Sequence, residues 1–277
     1  MSDSDRTACK IHQVRDGALT SIVDTLATEE PLEIRLGYVD PRRGRVHRSV
    51  SITMRTPGED AALAIGFLFS ESIVRSGNDV VSIDESRSNV IRIELSDTAI
   101  FDPQRLERHF YTTSSCGVCG KASLETLSLG GFDALPAIQD RIRASALHAL
   151  PHQLRNVQPL FAATGGNHGV ALFDFDGKVV LGKEDVGRHN AMDKLIGTLL
   201  QEGRLPIQRH GILVSGRASF ELMQKALSAG CPLLAAVGAP SSLAVELAQE
   251  FNIILVGFLG TSRFNVYHGY EAIDFGN

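Results

Sequence analysis

Cys116 and Cys119 form a Cys-x-x-Cys pair inside the run Tyr111 to Gly120, whose other residues are Tyr, Thr, Ser, Gly and one Val. Such a run reads as a loop. Two neighbouring thiols support metal binding, thiol–disulfide exchange or sulfur transport. A zinc site needs two further ligands, and there is no second Cys-x-x-Cys. His109, His152, His168 or His189 could complete a set, but none has a diagnostic spacing. A zinc deaminase would join His-x-Glu to Pro-Cys-x-x-Cys. None of the nine His residues has a Glu two positions on, and Ser115 precedes Cys116, which excludes that chemistry. A thioredoxin-like pair should follow a strand and open a long helix; here a short helix (Asp102 to Phe110) and a Ser/Thr loop come first.

A sulfur carrier is the fourth reading. Its thiolate takes the terminal sulfur of a donor persulfide, holds it as Cys-S-SH and presents it to an acceptor, which suits a loop that must meet two partners. An unperturbed thiol is only about 3% ionised at neutral pH. A helix N-terminus adds about 0.3–1 kcal/mol, less than one pKa unit. Lys121 or an Arg folded over the loop must supply the rest. Cys231, beside Pro232 at the start of an apolar run, reads as core, and Cys9 is uninformative.

A second group of residues lies in turns suited to anions. Thr164-Gly165-Gly166-Asn167-His168 precedes a strand, and paired glycines allow close approach of backbone or ligand. Lys183 to Asn190 collects Glu184, Asp185, Arg188 and His189 between a strand and a helix, with Lys194 six residues past Arg188 on that helix. Ser215-Gly216-Arg217-Ala218-Ser219 follows the next strand and opens a helix, whose free N–H groups attract phosphate. It is not a P-loop, because G-x-x-x-x-G-K-[ST] is absent. Gly238 to Ser242 repeats the arrangement, although Ser241 is as readily an N-cap. Gly257 to Arg263 ends the last strand. These loops should share one sheet edge and form a polar, glycine-rich, locally basic mouth for a nucleotide with phosphates.

Elements positioning these residues follow from pattern and punctuation. Residues 1–30 are polar and read as a loose or partly paired arm. Strands are expected at 32–39 and 46–55, a buried helix after Thr56-Pro57-Gly58 that takes in Leu63 to Ile73, and a strand pair at 80–84 and 89–95. Lys121 to Leu129 has helical character, and a helix is expected over 138–156. A hairpin turning at Asp176-Gly177 joins 168–173 to 178–182. Then helix 187–202, strand 211–215, helix 218–229, strand 233–237, helix 241–251 and strand 253–258 alternate, which demands crossovers and parallel pairing. The division is an arm to residue 30, an α+β domain over 31–135 with the thiol loop, and an α/β domain over 136–277: a three-layer arrangement of hairpin plus parallel strands covered by helices.

The chain has 277 residues, 43% hydrophobic and 21% charged, with net charge -5. That suffices for a normal core and argues against a nucleic-acid face, which needs excess Lys and Arg. The start has no apolar leader and no apolar run spans a bilayer, so a cytoplasmic protein is expected.

SSCGVCG at 114–120, TGGNH at 164–168, EDVGRHNAMDK at 184–194, SGRASFE at 215–221 and APSSLAVELA at 239–248, together with TPGEDAALAIGFLFSESIV at 56–74, resemble the FdhD/NarQ family of formate dehydrogenase accessory sulfurtransferases. The resemblance covers roughly 30–270. It implies sulfur accepted from a cysteine desulfurase and passed to molybdenum bis(molybdopterin guanine dinucleotide), the cofactor of formate dehydrogenase, with a homodimer as the expected assembly. It implies a cytidine-deaminase-like second domain without zinc, and no structural metal. By motif, Cys116 matches the persulfide cysteine, with Cys119 as second carrier or resolving thiol. Phe258, Leu259, Gly260, Thr261, Ser262 and Arg263 match the cofactor-binding segment. The family commonly has an Arg and two glycines before that final Arg, where this chain has Gly260, Thr261 and Ser262. With GDP as mimic, Gly165, Gly166, His168, Ser215, Gly216, Arg217, Arg188 and His189 are expected around the nucleotide, and Glu184, Asp185 or Glu221 at the guanine. The rival reading is a cofactor chaperone that never holds sulfur covalently.

Overall fold

The computed structural model describes residues 3–99 and 132–276. Cys116, Cys119 and the elements expected at 102–110 and 121–129 lie outside them.

The arm is a fully paired ribbon. Strand β1 (Arg6–Arg15) pairs antiparallel with β2 (Ala18–Ala27) across a turn at Asp16-Gly17, both at positive φ. The Asp-Gly turn and the β-branched residues of β2 explain the pairing that the polar composition concealed. Strand β3 (Glu30–Asp40), β4 (Gly44–Arg55), helix α1 (Asp60–Ser70), β5 (Val80–Arg87) and β6 (Val90–Leu95) follow. They form a four-stranded sheet in the order β4-β3-β6-β5, with β3 parallel to β6 and the other pairs antiparallel. Leu32, Ile34, Leu36, Ile91, Ile93 and Leu95 alternate onto one face and pack with α1. Helix α1 ends at Ser70, so Ile73 is buried beyond it, after a left-handed residue at Ser72.

Next come β7 (Ile142–Arg143), α2 (Ala144–Asn156), α3 (Pro159–Thr164), β8 (His168–Asp174), β9 (Val179–Asp185), α4 (Arg188–Gln201), β10 (His210–Val214), α5 (Phe220–Ser228), β11 (Leu233–Ala236), α6 (Ser242–Glu250), β12 (Ile254–Gly257), β13 (Asn265–His268) and β14 (Ile273–Asp274). A six-stranded sheet runs β13-β12-β11-β10-β8-β9. Strands β10, β11 and β12 are parallel, and the β8–β9 hairpin joins β10 antiparallel. This is the expected hairpin followed by three parallel strands. Core residues lie on both faces, which is why GILV, LLAA and ILVG read as unbroken apolar runs. Val170, Ile212, Leu234 and Leu255 pack with α4, α5 and α6; Phe173, Leu213, Leu233 and Val256 pack with α2.

Four expectations are corrected. The helix expected from 138 begins at Ala144, because Ile142 pairs in parallel with Ile273 of the C-terminal tail. Strand β9 extends to Asp185, so Lys183, Glu184 and Asp185 belong to a strand and not to a loop. Helix α3, β13 and β14 were not expected; all are short, with periods too brief to read. Strand β5 reaches Arg87 rather than ending at 84.

The two halves meet through helices α1 and α4 at backbone contact. A Cβ placed on Gly66 would lie 1.9 Å from the Asp193 carbonyl oxygen, and one on Gly197 would lie 1.9 Å from that of Ala62. Helix α4 is therefore buried almost all round, between the six-stranded sheet and α1.

Candidate functional site

Sheet direction gathers the candidate loops. His168 opens β8 opposite Asp185, which closes β9. Val170 lies opposite Val214 at the end of β10, and β10, β11 and β12 run parallel. Residues 165–168, 186–189, 215–219, 237–241 and 258–263 thus share one edge. Their backbones are knitted together. Ser215 N donates to Gly169 O at 2.9 Å and Gly169 N to Ser215 Oγ at 3.0 Å. Gly238 N donates to Gly216 O at 2.9 Å, Ser241 N to Ala218 O at 3.0 Å and Phe258 N to Gly238 O at 3.0 Å. A Cβ on Gly238 would sit 2.9 Å from Gly216 O, so the stacking of these turns requires glycine there. Gly165 is the left-handed cap of α3, at φ 68°. Ser241 accepts from Ala244 N at 3.2 Å and is the N-cap of α6.

The acids of the Glu184–Asn190 motif are engaged within the protein. Asp185 is fully buried. Its Oδ1 accepts from Gly187 N at 2.9 Å and Asn190 Nδ2 at 3.0 Å; its Oδ2 accepts from Thr56 N at 3.2 Å and meets Lys194 Nζ at 2.8 Å. Lys194, expected at the mouth, is instead interior and also donates to Thr56 O at 3.0 Å. Asn190 Nδ2 donates to Met54 O at 2.7 Å. A buried ion pair with every lone pair occupied fixes the β9–α4 turn against the end of β4. Glu184 turns the other way: its carboxylate accepts from Leu160 N at 2.9 Å and Phe161 N at 2.8 Å, capping α3. Burial nevertheless raises its pKa above the usual carboxylate value. Lys183 pairs with Glu59.

With that turn fixed, Arg188 and His189 open α4 at the edge. His189 and Glu221 approach to 4.0 Å, and one turn below them Asp193 pairs with Lys225 at 2.7 Å and accepts from Ser70 Oγ at 3.0 Å. The i,i+4 spacing on both helices builds this two-rung ladder. Burial, then the Arg188 and Lys225 cations, push the His189 pKa down to about 4. Burial and Arg188 likewise lower His168, so both rings are neutral at physiological pH. Burial alone would raise Glu221, but its own backbone N–H, the Ser219 side chain and the Arg188 charge help to outweigh it and hold the carboxyl low. Burial lifts Asp193 against the pull of Lys225.

Arg217 and Arg263 are exposed and Arg188 is half-buried. Among the described residues none of the three is ion-paired with a carboxylate. The last loop carries Phe258 at φ 52°, a buried Leu259, and Gly260 N donating to Arg263 O at 2.9 Å. His148, on α2, bonds Gly260 O at 2.8 Å. Sequence reasoning missed it: the two positions are far apart in the chain, and an isolated His on a helix carries no signal. Cys231 is buried and donates to Leu233 O at 3.1 Å, with burial pushing its pKa up to about 12, as a core thiol requires. Two clefts of about 190 and 260 Å³ lie on the four-stranded sheet around Arg87 and Val90, and neither is lined by the loops of this edge.

Fold and site together define an α/β protein whose glycine-built loop edge, carrying three arginines and two neutral histidines, is suited to a phosphorylated ligand. The FdhD/NarQ family model matches residues 27–274, and the chain belongs to that family. A sulfur carrier protein FdhD of Streptomyces avermitilis is 47% identical over 95% of this chain and 94% of its own length. One from Sulfolobus acidocaldarius is 38% identical over 96% and 97%. A crystal structure from Desulfotalea psychrophila, described as a formate dehydrogenase accessory protein, superposes with TM-score 0.76 at 22% identity, covering 98% of this chain and all of that one. No helix among the described residues is long and apolar enough to cross a membrane.

Proposed function

We propose that this chain is a sulfur carrier for formate dehydrogenase. Cys116 accepts the terminal sulfur of a cysteine desulfurase persulfide: its thiolate forms a new S–S bond as the old one breaks, and the donor leaves as a thiolate. Cys119 serves as second carrier or resolving thiol. The acceptor is molybdenum bis(molybdopterin guanine dinucleotide), bound as substrate by the loop edge of the six-stranded sheet, in a domain of cytidine-deaminase-like layering. Arg188, Arg217 and Arg263, with backbone N–H groups of the Gly216 and Gly260 turns, take its phosphates. Of the three acids considered for guanine, Asp185 is enclosed and Glu184 caps α3, while the Glu221 side chain is 59% exposed beside His189. Glu221 is the assignment we favour. A cytoplasmic homodimer is the expected form.

The observation carrying this reading is the convergence of five glycine-bearing loops and three arginines on one edge, in a chain whose curated relatives are named sulfur carriers. The test is mass spectrometry after incubation with a desulfurase and cysteine. Cys116→Ala should lose the one-sulfur adduct while GDP binding persists. An adduct at the wild-type level would reject Cys116 as carrier.

A further inference from the structure

We propose that His148 is a positioning residue that sets the Phe258–Arg263 arch and so aims Arg263 at a phosphate; this rests on the nucleotide reading above.

The arch is held at its entry by the sheet. Phe258 N donates to Gly238 O and Leu259 N to Ala236 O, both at 3.0 Å. Phe258 occupies left-handed space at φ 52°, which a non-glycine residue tolerates only where neighbours enforce it. Beyond Leu259 the chain leaves the sheet. Gly260 N closes on Arg263 O, and Thr261, Ser262 and Arg263 are exposed. This free part is gripped from α2. A carbonyl can only accept, so His148 Nδ1 donates to Gly260 O at 2.8 Å. The same ring lies 5.0 Å from that of Phe264, tilted by 52°. His148 therefore contacts the chain on either side of Thr261, Ser262 and Arg263, at Gly260 and at Phe264.

Arg263 is the one cation of this arch. A lone guanidinium on an arch is effective only if the arch is ordered before the ligand arrives, since ordering it on binding subtracts from affinity. Without His148, Gly260 O loses its partner and Phe264 its neighbour, and Arg263 samples more positions.

The experiment is a GDP titration of the full chain by calorimetry, as a double-mutant cycle. His148→Ala should weaken GDP about five- to tenfold, the worth of one net hydrogen bond and its ordering. His148→Leu, which keeps contact with Phe264 but has no donor, should match it. His148→Asn, whose Nδ2 can occupy the Nδ1 position, should restore affinity to within about twofold. In an Arg263→Ala background, His148→Ala should change affinity by less than about twofold, because the residue it positions is gone. Equal losses in both backgrounds, or a His148→Ala chain that binds like wild type, would overturn the assignment alone. A wild-type chain with no GDP affinity would remove the nucleotide reading and this inference with it.

Discussion

Replacing Asp185 by Asn strands the Lys194 ammonium in the interior. Both side chains are at most 3% exposed, and Nζ lies 2.8 Å from Oδ2. Removing one member of such a pair costs about 3–5 kcal/mol, against a total stability of about 5–15 kcal/mol. Asn also offers one acceptor where the four donors Gly187 N, Asn190 Nδ2, Thr56 N and Lys194 Nζ now converge. For a chain of this length the melting temperature should fall by about 5–9 °C. The assay is urea and thermal unfolding followed by far-UV circular dichroism, with a GDP titration on the same samples below the melt. Adding Lys194→Met should recover much of the loss, because deleting both charges removes the uncompensated ion. A melting temperature within about 1 °C of wild type, together with lost GDP binding, would refute the reasoning and make Asp185 a ligand contact.

Three further outcomes are expected. Gly197→Ala should destabilise by about 3 kcal/mol or more, measured by urea unfolding, since its methyl would meet the Ala62 carbonyl and the α1–α4 contact would have to open. Arg217→Ala and Arg263→Ala should each weaken GDP by about 10- to 100-fold at unchanged melting temperature, the worth of a charge-assisted hydrogen bond. His189 binds its proton less readily folded than unfolded, so between its unfolded value of about 6.5 and its folded value of about 4 the unfolded chain holds more protons. Stability is therefore lost as pH falls through that window and is flat above it for this group. His189→Gln should lessen the slope of unfolding free energy against pH there, and an identical slope would contradict the half-buried neutral ring.

The alternation of strands and helices over 168–258 was legible because β8, β10, β11 and β12 are buried on both faces, and glycine, proline or serine marks the turns around them. Convergence of the loops after β10, β11 and β12 followed from parallel pairing, and the antiparallel β8–β9 hairpin adds 165–168 and 186–189 to the same edge. The roles of Glu184, Asp185 and Lys194 were not legible. Charged residues near a glycine turn read as a solvated or ligand-facing cluster, and only the packing of Thr56 from the other half shows that Asp185 and Lys194 face inward. The α1–α4 junction was equally hidden: Gly66 and Gly197 stand in ordinary helical sequence, and their meaning lies in a helix more than a hundred positions away. His148 belongs to the same class. The ribbon at 6–27 was under-read because its apolar residues are exposed, so they made no core signal.

The central claim is that sulfur held on Cys116 is delivered to a substrate bound at the loop edge. The most direct test loads the chain with labelled sulfane sulfur and follows the label into molybdenum bis(molybdopterin guanine dinucleotide), with and without excess GDP. Blocked transfer with unchanged loading is the predicted result, and the Arg217→Ala, Arg263→Ala double variant should reproduce it without GDP. Transfer that proceeds undiminished under both conditions would contradict the account.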